Sequence, residues 1–313
     1  MPGTGKRITR MDTTNNMKNL TLKFEQYELK GIEWKIDNPK GHIIIMEGME
    51  EHARRYDDFA LFLNKNGYSV HALDVFGQGD NAETEDQLGI WPVDAFIKQV
   101  KAVDQLVSLL KEDGKPVYLF SHSMGSFMCQ RYLQVCAGHV DKVVLCGSGS
   151  KNPALGMGHF LAKITTTKKN RDKKSKFIYK LMFGGFNKRI KKPETPFEWL
   201  SFNRDNVLKY IADPKCGYGS SKGFCLEFIR GMKPLHKGKN LKTLNPNTKI
   251  FIISGSDDPV TKYGKSVGVL KKMYEKYGVK SVEGKVYPEM RHEILNETTH
   301  QLVYDDVLAF FNA

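Results

Sequence analysis

The run HIIIMEG, His42 to Gly48, is short, apolar and unbroken. A strand with one wet face alternates apolar and polar residues, so an unbroken run marks a strand buried on both faces, as in a sheet covered by helices. What flanks it fits that reading. Tyr56, Phe59, Ala60, Phe62 and Leu63 make one apolar helical face. Strand Tyr68 to Val75, helix Val93 to Leu110, strand Lys115 to Ser121, a helix from Met124 to about Cys136 and strand Lys142 to Ser148 follow. Ahead of the run, Leu20 to Tyr27 and Gly31 to Asp37 alternate in polarity across a short turn, which predicts a hairpin. Alternating strands and helices imply an α/β protein: a mostly parallel central sheet, right-handed crossovers and helices on both faces.

The alternation stops once. From about Lys151 to Lys237 the chain turns helical, basic and aromatic, and then strand Thr248 to Gly255, helix Lys265 to Tyr277, strand Gly284 to Pro288 and a final helix near Glu297 to Asn312 complete the pattern. One sheet interrupted by an insertion explains this better than two tandem domains. The expected organisation is a flexible extension at 1–19, a core formed by 20–150 and 238–313, and a basic helical subdomain at 151–237.

With 313 residues, 40% of them hydrophobic, the chain can bury a sizeable core unaided. No apolar run approaches the roughly 18–20 residues that span a bilayer. The first 19 residues lack the apolar stretch of a secretory signal, so a cytoplasmic protein is expected. Five cysteines without C-x-x-C or metal-ligand spacing are expected as buried, reduced thiols. The net charge of +13 is concentrated: residues 151–192 carry 13 Lys or Arg against the single acid Asp172. No zinc-finger, RNA-recognition or helix-turn-helix signature accompanies it, so no nucleic-acid partner is expected.

In open parallel sheets reactive groups gather where strands end. The run YLFSHSMGSF ends a strand and opens a helix with Ser123 between small residues, the layout of a nucleophile elbow, although Ser121 stands where G-x-S-x-G has its first glycine. A histidine and an acid must follow in chain order Ser, acid, His. ISGSDDPV supplies Asp257 and Asp258 after one strand, and PEMRHEILNE supplies His292 after the next.

With these motifs in place, the chain beyond about residue 20 resembles the α/β-hydrolase superfamily. It is similar within it to the bacterial lysophospholipase and monoacylglycerol lipase group, also catalogued with serine aminopeptidases. The matching stretches are EGMEEHARRYDDFA, SHSMGSF, SGSDDPV and RHEILNE, with a further match in the insertion from Phe186 to Phe224. The resemblance implies an α/β-hydrolase fold with an inserted helical lid. It implies Ser123 as nucleophile, His292 as general base and then acid, and Asp258, which precedes Pro-Val, as the group orienting the histidine. It also implies an oxyanion hole from the backbone N–H groups of Met49 and Met124. His122, inside the elbow, reads as a packing and loop-positioning residue. Three positions depart from the family: Glu47 replaces the histidine of its His-Gly, Gln78 lies in DVFGQG where the family has D-H-R-G-H-G, and Ser121 replaces glycine. A carboxylate at Glu47 is expected either to pair with a cation or to oppose a developing anion.

The resemblance implies hydrolysis of carboxylic esters of lipid-like substrates, lysophospholipids or monoacylglycerols, with no metal or organic cofactor. An aminopeptidase, an acyltransferase, or a weakly catalytic ligand-binding protein on a hydrolase scaffold are the alternatives. Lid residues expected to meet substrate include Phe160, Phe183, Phe186 and Trp199. The basic stretch 151–192 is expected to touch anionic membrane peripherally, at about 1 kcal/mol per basic residue near the surface; a solvated charged face is the competing explanation.

Overall fold

The structure, a computed structural model, describes residues 17–153, 155–175 and 184–313. Eight strands form one sheet in the order β1-β2-β4-β3-β5-β6-β7-β8. Strands β1 (Met17–Phe24) and β2 (Tyr27–Trp34) form the hairpin, three to four residues earlier than the polarity pattern places it, and β2 runs antiparallel to β4 (Tyr68–Leu73). Strands β3 (Gly41–Met46), β5 (Val117–His122), β6 (Lys142–Cys146), β7 (Lys249–Gly255) and β8 (Val282–Tyr287) join β4 in a parallel array. This is the α/β-hydrolase arrangement.

The unbroken apolar run has the cause inferred for it. Along β3, Ile44 and Met46 enter one apolar cluster and Ile43 and Ile45 the other, because successive side chains point to opposite faces and both faces are covered. Helices α2 (Ala95–Leu110) and α3 (Met124–Val135) cover the first face. Helix α1 (Asp57–Lys65) covers the second, joined there by Val303, Val307 and Phe311 of the C-terminal helix (Gln301–Asn312).

Between the neighbouring strands β6 and β7 the chain leaves the sheet and builds helices α4 (Leu155–Thr165), α5 (Arg204–Ala212) and α6 (Lys222–Met232). Helix α6 is anchored from below: its Phe224 sits 4.0 Å, centroid to centroid, from Trp91 and is fully buried. The five cysteines are free and buried. Among the described residues no helix is long and apolar enough to cross a membrane.

Candidate active site

The turn between β5 and α3 holds Ser123 at φ 49°, ψ −116°. A non-glycine residue with positive φ is strained, and the surroundings must hold it there. Here the Ser123 N–H donates to the Cys146 carbonyl at 2.9 Å, and the Ser123 carbonyl accepts from the Ser126 hydroxyl at 2.6 Å. The glycine two residues on is obligatory for packing, since a Cβ on Gly125 would stand 2.1 Å from the Met46 carbonyl oxygen. Ser121 has a different role from the glycine it replaces. It is fully buried and its hydroxyl donates to the Val144 carbonyl at 2.6 Å, tying β5 to β6.

Beyond β7, Asp258 is fully buried while Asp257 is exposed, so the adjacent acids are divided by the turn. Asp258 Oδ1 accepts from the Val260 N–H at 2.8 Å and lies 2.9 Å from His292 Nδ1. The His292–Asp258 approach is close but falls short of an aligned hydrogen bond, and His292 Nε2 has no partner among the described residues. In unliganded sites such bonds are often poorly aligned and tighten once substrate binds. Gly147 leaves room for this ring, for a Cβ there would come 2.9 Å from His292 Cε1.

Ser123 and His292 face one cavity of about 530 Å³, whose wall also includes Met49, Met124, Phe186 and Trp199. Trp199 lies 5.0 Å from the His292 ring and 4.7 Å from Phe186, centroid to centroid. The wall is mostly apolar, extended by Phe127, Leu161, Phe228 and Ile229. Phe160 is absent from it: the side chain is 57% exposed, while Met157 and Leu161 of the same helix reach the cavity. A helix turns 100° per residue, and the sequence pattern did not separate the two faces of α4. Phe183 lies outside the described residues.

Beneath the cavity runs a buried ionic network that motif reading missed. Arg55 donates to both carboxylate oxygens of Glu293 at 2.7 Å, to Glu51 at 2.7 Å, and to Asn206 of α5 at 3.2 Å. Glu51 accepts from the Gly48 N–H at 2.6 Å and from the Tyr56 hydroxyl at 2.8 Å, and lies 3.1 Å from His122 Nδ1. Burial opposes charge on Glu51, but His122 and Arg55 prevail and hold the carboxyl well below its usual range. Burial likewise opposes the His122 imidazolium, yet the Glu51 carboxylate raises its pKa. The other ring nitrogen of His122 faces the His292 carbonyl at 3.3 Å. His122 is thus held between the loop after β3 and the His292 loop. The only textual hint of the network was Glu51 and Arg55 at i, i+4 inside EEHARRY.

Glu47 does neither of the two things expected of a carboxylate. It is fully buried, and its Oε1 accepts from the Val75 N–H at 2.9 Å and from Gln78 Nε2 at 2.7 Å. Burial first, and then the charge of Asp74, push its pKa well above the carboxylate range. The anionic form is disfavoured at this position, and the two departures at 47 and 78 are hydrogen-bond partners of each other.

Away from the cavity wall, His52, Asp213 and Cys216 bring possible ligand atoms within 4.8 Å of one another. His52 Nε2 contacts Asp213 Oδ2 at 2.8 Å and so links the loop after β3 to the end of α5.

Comparison with known proteins matches residues 37–299 to the family described as "Serine aminopeptidase, S33". The chain belongs to this family. It is an esterase- and lipase-like α/β hydrolase. It is 24% identical to a monoacylglycerol lipase of Mycolicibacterium smegmatis over 280 residues, covering 88% of this chain and 90% of the relative. It is 25% identical to a monoglyceride lipase homolog of Monkeypox virus, covering 85% and 86%. In fold it is similar to a thermostable carboxyl esterase from Bacillus coagulans solved with glycerol, with a TM-score of 0.88, 24% identity, and coverage of 96% and 99%.

Proposed function

We propose that this S33-family protein cleaves carboxylic esters of lipid-like substrates, monoacylglycerols or lysophospholipids, through an acyl-enzyme. Ser123 Oγ attacks the ester carbonyl carbon while His292 Nε2 takes its proton, and Asp258 orients and stabilises the resulting imidazolium. The N–H groups of Met49 and Met124 receive the oxyanion. Collapse breaks the acyl C–O bond, and His292 returns the proton to the departing alcohol. Water then attacks the acyl-enzyme by the same route and releases the acid. The observation that carries this reading is Ser123, strained at a helix N-terminus, sharing an apolar cavity with His292, whose other nitrogen meets buried Asp258. Residues 151–237 act as the cap that supplies much of the apolar wall.

The wall favours an acyl chain over an aminoacyl group. An aminopeptidase site needs a free carboxylate for the substrate ammonium; here Glu51 and Glu293 are engaged by Arg55, and buried Glu50 accepts from the Gly219 N–H and the Ser220 hydroxyl. Fatty acid release from a monoacylglycerol and a lysophosphatidylcholine is expected above the Ser123→Ala background, with aminoacyl anilides left intact. Turnover of anilides alone would replace this reading with the peptidase one.

The cap has a surface suited to lipid. Phe160 and Ile164 are 57% and 58% exposed and lie four residues apart on one face of α4, beside exposed Lys163, Lys168 and Lys169. Binding to vesicles containing anionic phospholipid is expected to exceed binding to neutral ones at low salt and to weaken as salt is added. Equal binding to both would leave the basic stretch as a solvated face.

A further inference from the structure

Gln78, in the loop after β4, is fully buried and every polar atom of its side chain is used. Oε1 accepts from the Glu50 N–H at 2.8 Å; Nε2 donates to the Gly48 carbonyl at 2.9 Å and to Glu47 Oε1 at 2.7 Å, with the Glu51 carbonyl at 3.3 Å. The Gly48 carbonyl belongs to the peptide unit before Met49, and the Glu50 N–H to the unit after it. One amide side chain therefore grips both peptide units that flank Met49.

The geometry has a direct chemical consequence. In a planar trans peptide the C=O and N–H point to opposite edges, so holding the Gly48 carbonyl toward Gln78 turns the Met49 N–H away from it. That N–H has no acceptor among the described residues, and Met49 stands on the cavity wall beside Ser123. Glu47 in turn sets the orientation of Gln78. Its Oε1, already accepting from Val75, requires Nε2 to face it, which leaves Oε1 of Gln78 for Glu50. A flipped amide would set NH₂ against the Glu50 N–H.

We infer that Gln78, held by Glu47, is a positioning residue that aims the Met49 N–H at the oxyanion formed during ester cleavage. The inference rests on the hydrolase reading above. Gln78 acts through the backbone of its neighbour loop and touches no substrate atom. Oxyanion donors are effective because they are already aimed when charge develops, and one such donor is worth about 10²–10³ in rate. An unaimed donor forfeits part of that, while ground-state binding in the apolar cavity is untouched.

The test compares the wild type with Gln78→Ala and Gln78→Glu, using kcat and KM for p-nitrophenyl butyrate and Ki for an alkyl trifluoromethyl ketone, whose hemiketal oxyanion would occupy the same donors. Gln78→Ala is expected to lower kcat by about 10- to 100-fold with KM within about twofold, and to raise Ki by the same factor as kcat falls. Gln78→Glu keeps the acceptor for Glu50 but confronts Glu47 and the Gly48 carbonyl with a second carboxyl, so the paired losses should grow as pH rises. If Gln78→Ala does not fold, Gln78→Glu carries the test. Folded variants whose Ki stays within twofold of wild type, or whose kcat falls without a matching rise in Ki, would overturn the inference. Failure of the underlying reading looks different: the wild type itself would neither hydrolyse the ester nor bind the ketone, and the inference would fall with it.

Discussion

Replacing Ser123 with alanine is expected to reduce ester hydrolysis by about 10⁴-fold or more, leaving only what the oxyanion donors and binding supply. The magnitude follows from the role: without Oγ there is no acyl-enzyme, and His292 has no proton to take. The fold should be indifferent. Alanine keeps the Cβ, and the hydrogen bonds that hold this turn are made by the Ser123 backbone, with Cys146 and with the Ser126 hydroxyl. Unfolding midpoints of the two proteins should therefore coincide within about 0.5 kcal/mol. Activity in the alanine variant above one-hundredth of wild type, in protein purified free of host esterases, would remove Ser123 from the mechanism.

The largest effect on stability is expected from Arg55→Ala, at about 3–5 kcal/mol. Both Glu51 and Glu293 are buried and each takes a 2.7 Å bond from this one guanidinium. Removing it leaves buried Glu293 without a cation and leaves Glu51 with His122 alone. It also loosens α5, which loses the Asn206 contact and the stacking of the Tyr210 ring lying 4.9 Å from the guanidinium. Arg55→Lys should recover only part of the loss, because an ammonium cannot grip Glu293 with two parallel donors. Chemical denaturation of the three proteins at one pH measures this, and a cost below 1 kcal/mol for alanine would mean that water replaces the guanidinium. A double substitution, Arg55→Met with Glu293→Gln, should cost less than the two single losses combined, since neighbours in one network do not add.

The sheet was readable in the sequence because β3, β5, β6 and β7 are buried on both faces and their middles are therefore unbroken apolar runs. Ends were less readable where no burial constraint acts. The first strand begins at Met17 rather than Leu20, and the last helix begins at Gln301 rather than near Glu297, because residues 298–300 form a turn ahead of it. Ser123, Asp258 and His292 were legible because each follows a strand and each sits in a short motif. Glu47 and Gln78 were visible only as two separate oddities. Their hydrogen bond joins residues 31 apart across neighbouring strand ends, and no local pattern announces such a pairing. Phe160 and Leu161 were indistinguishable as apolar residues of one helix until its packing showed which of them faces inward.

The central claim is that Ser123 is an activated nucleophile, and treatment with a fluorophosphonate followed by peptide mass spectrometry tests it most directly. The account predicts one phosphonyl adduct, on the peptide containing Ser123, absent from Ser123→Ala and formed much more slowly in His292→Ala. Folded wild-type protein that stays unlabelled, or that carries the adduct on another residue, would contradict it.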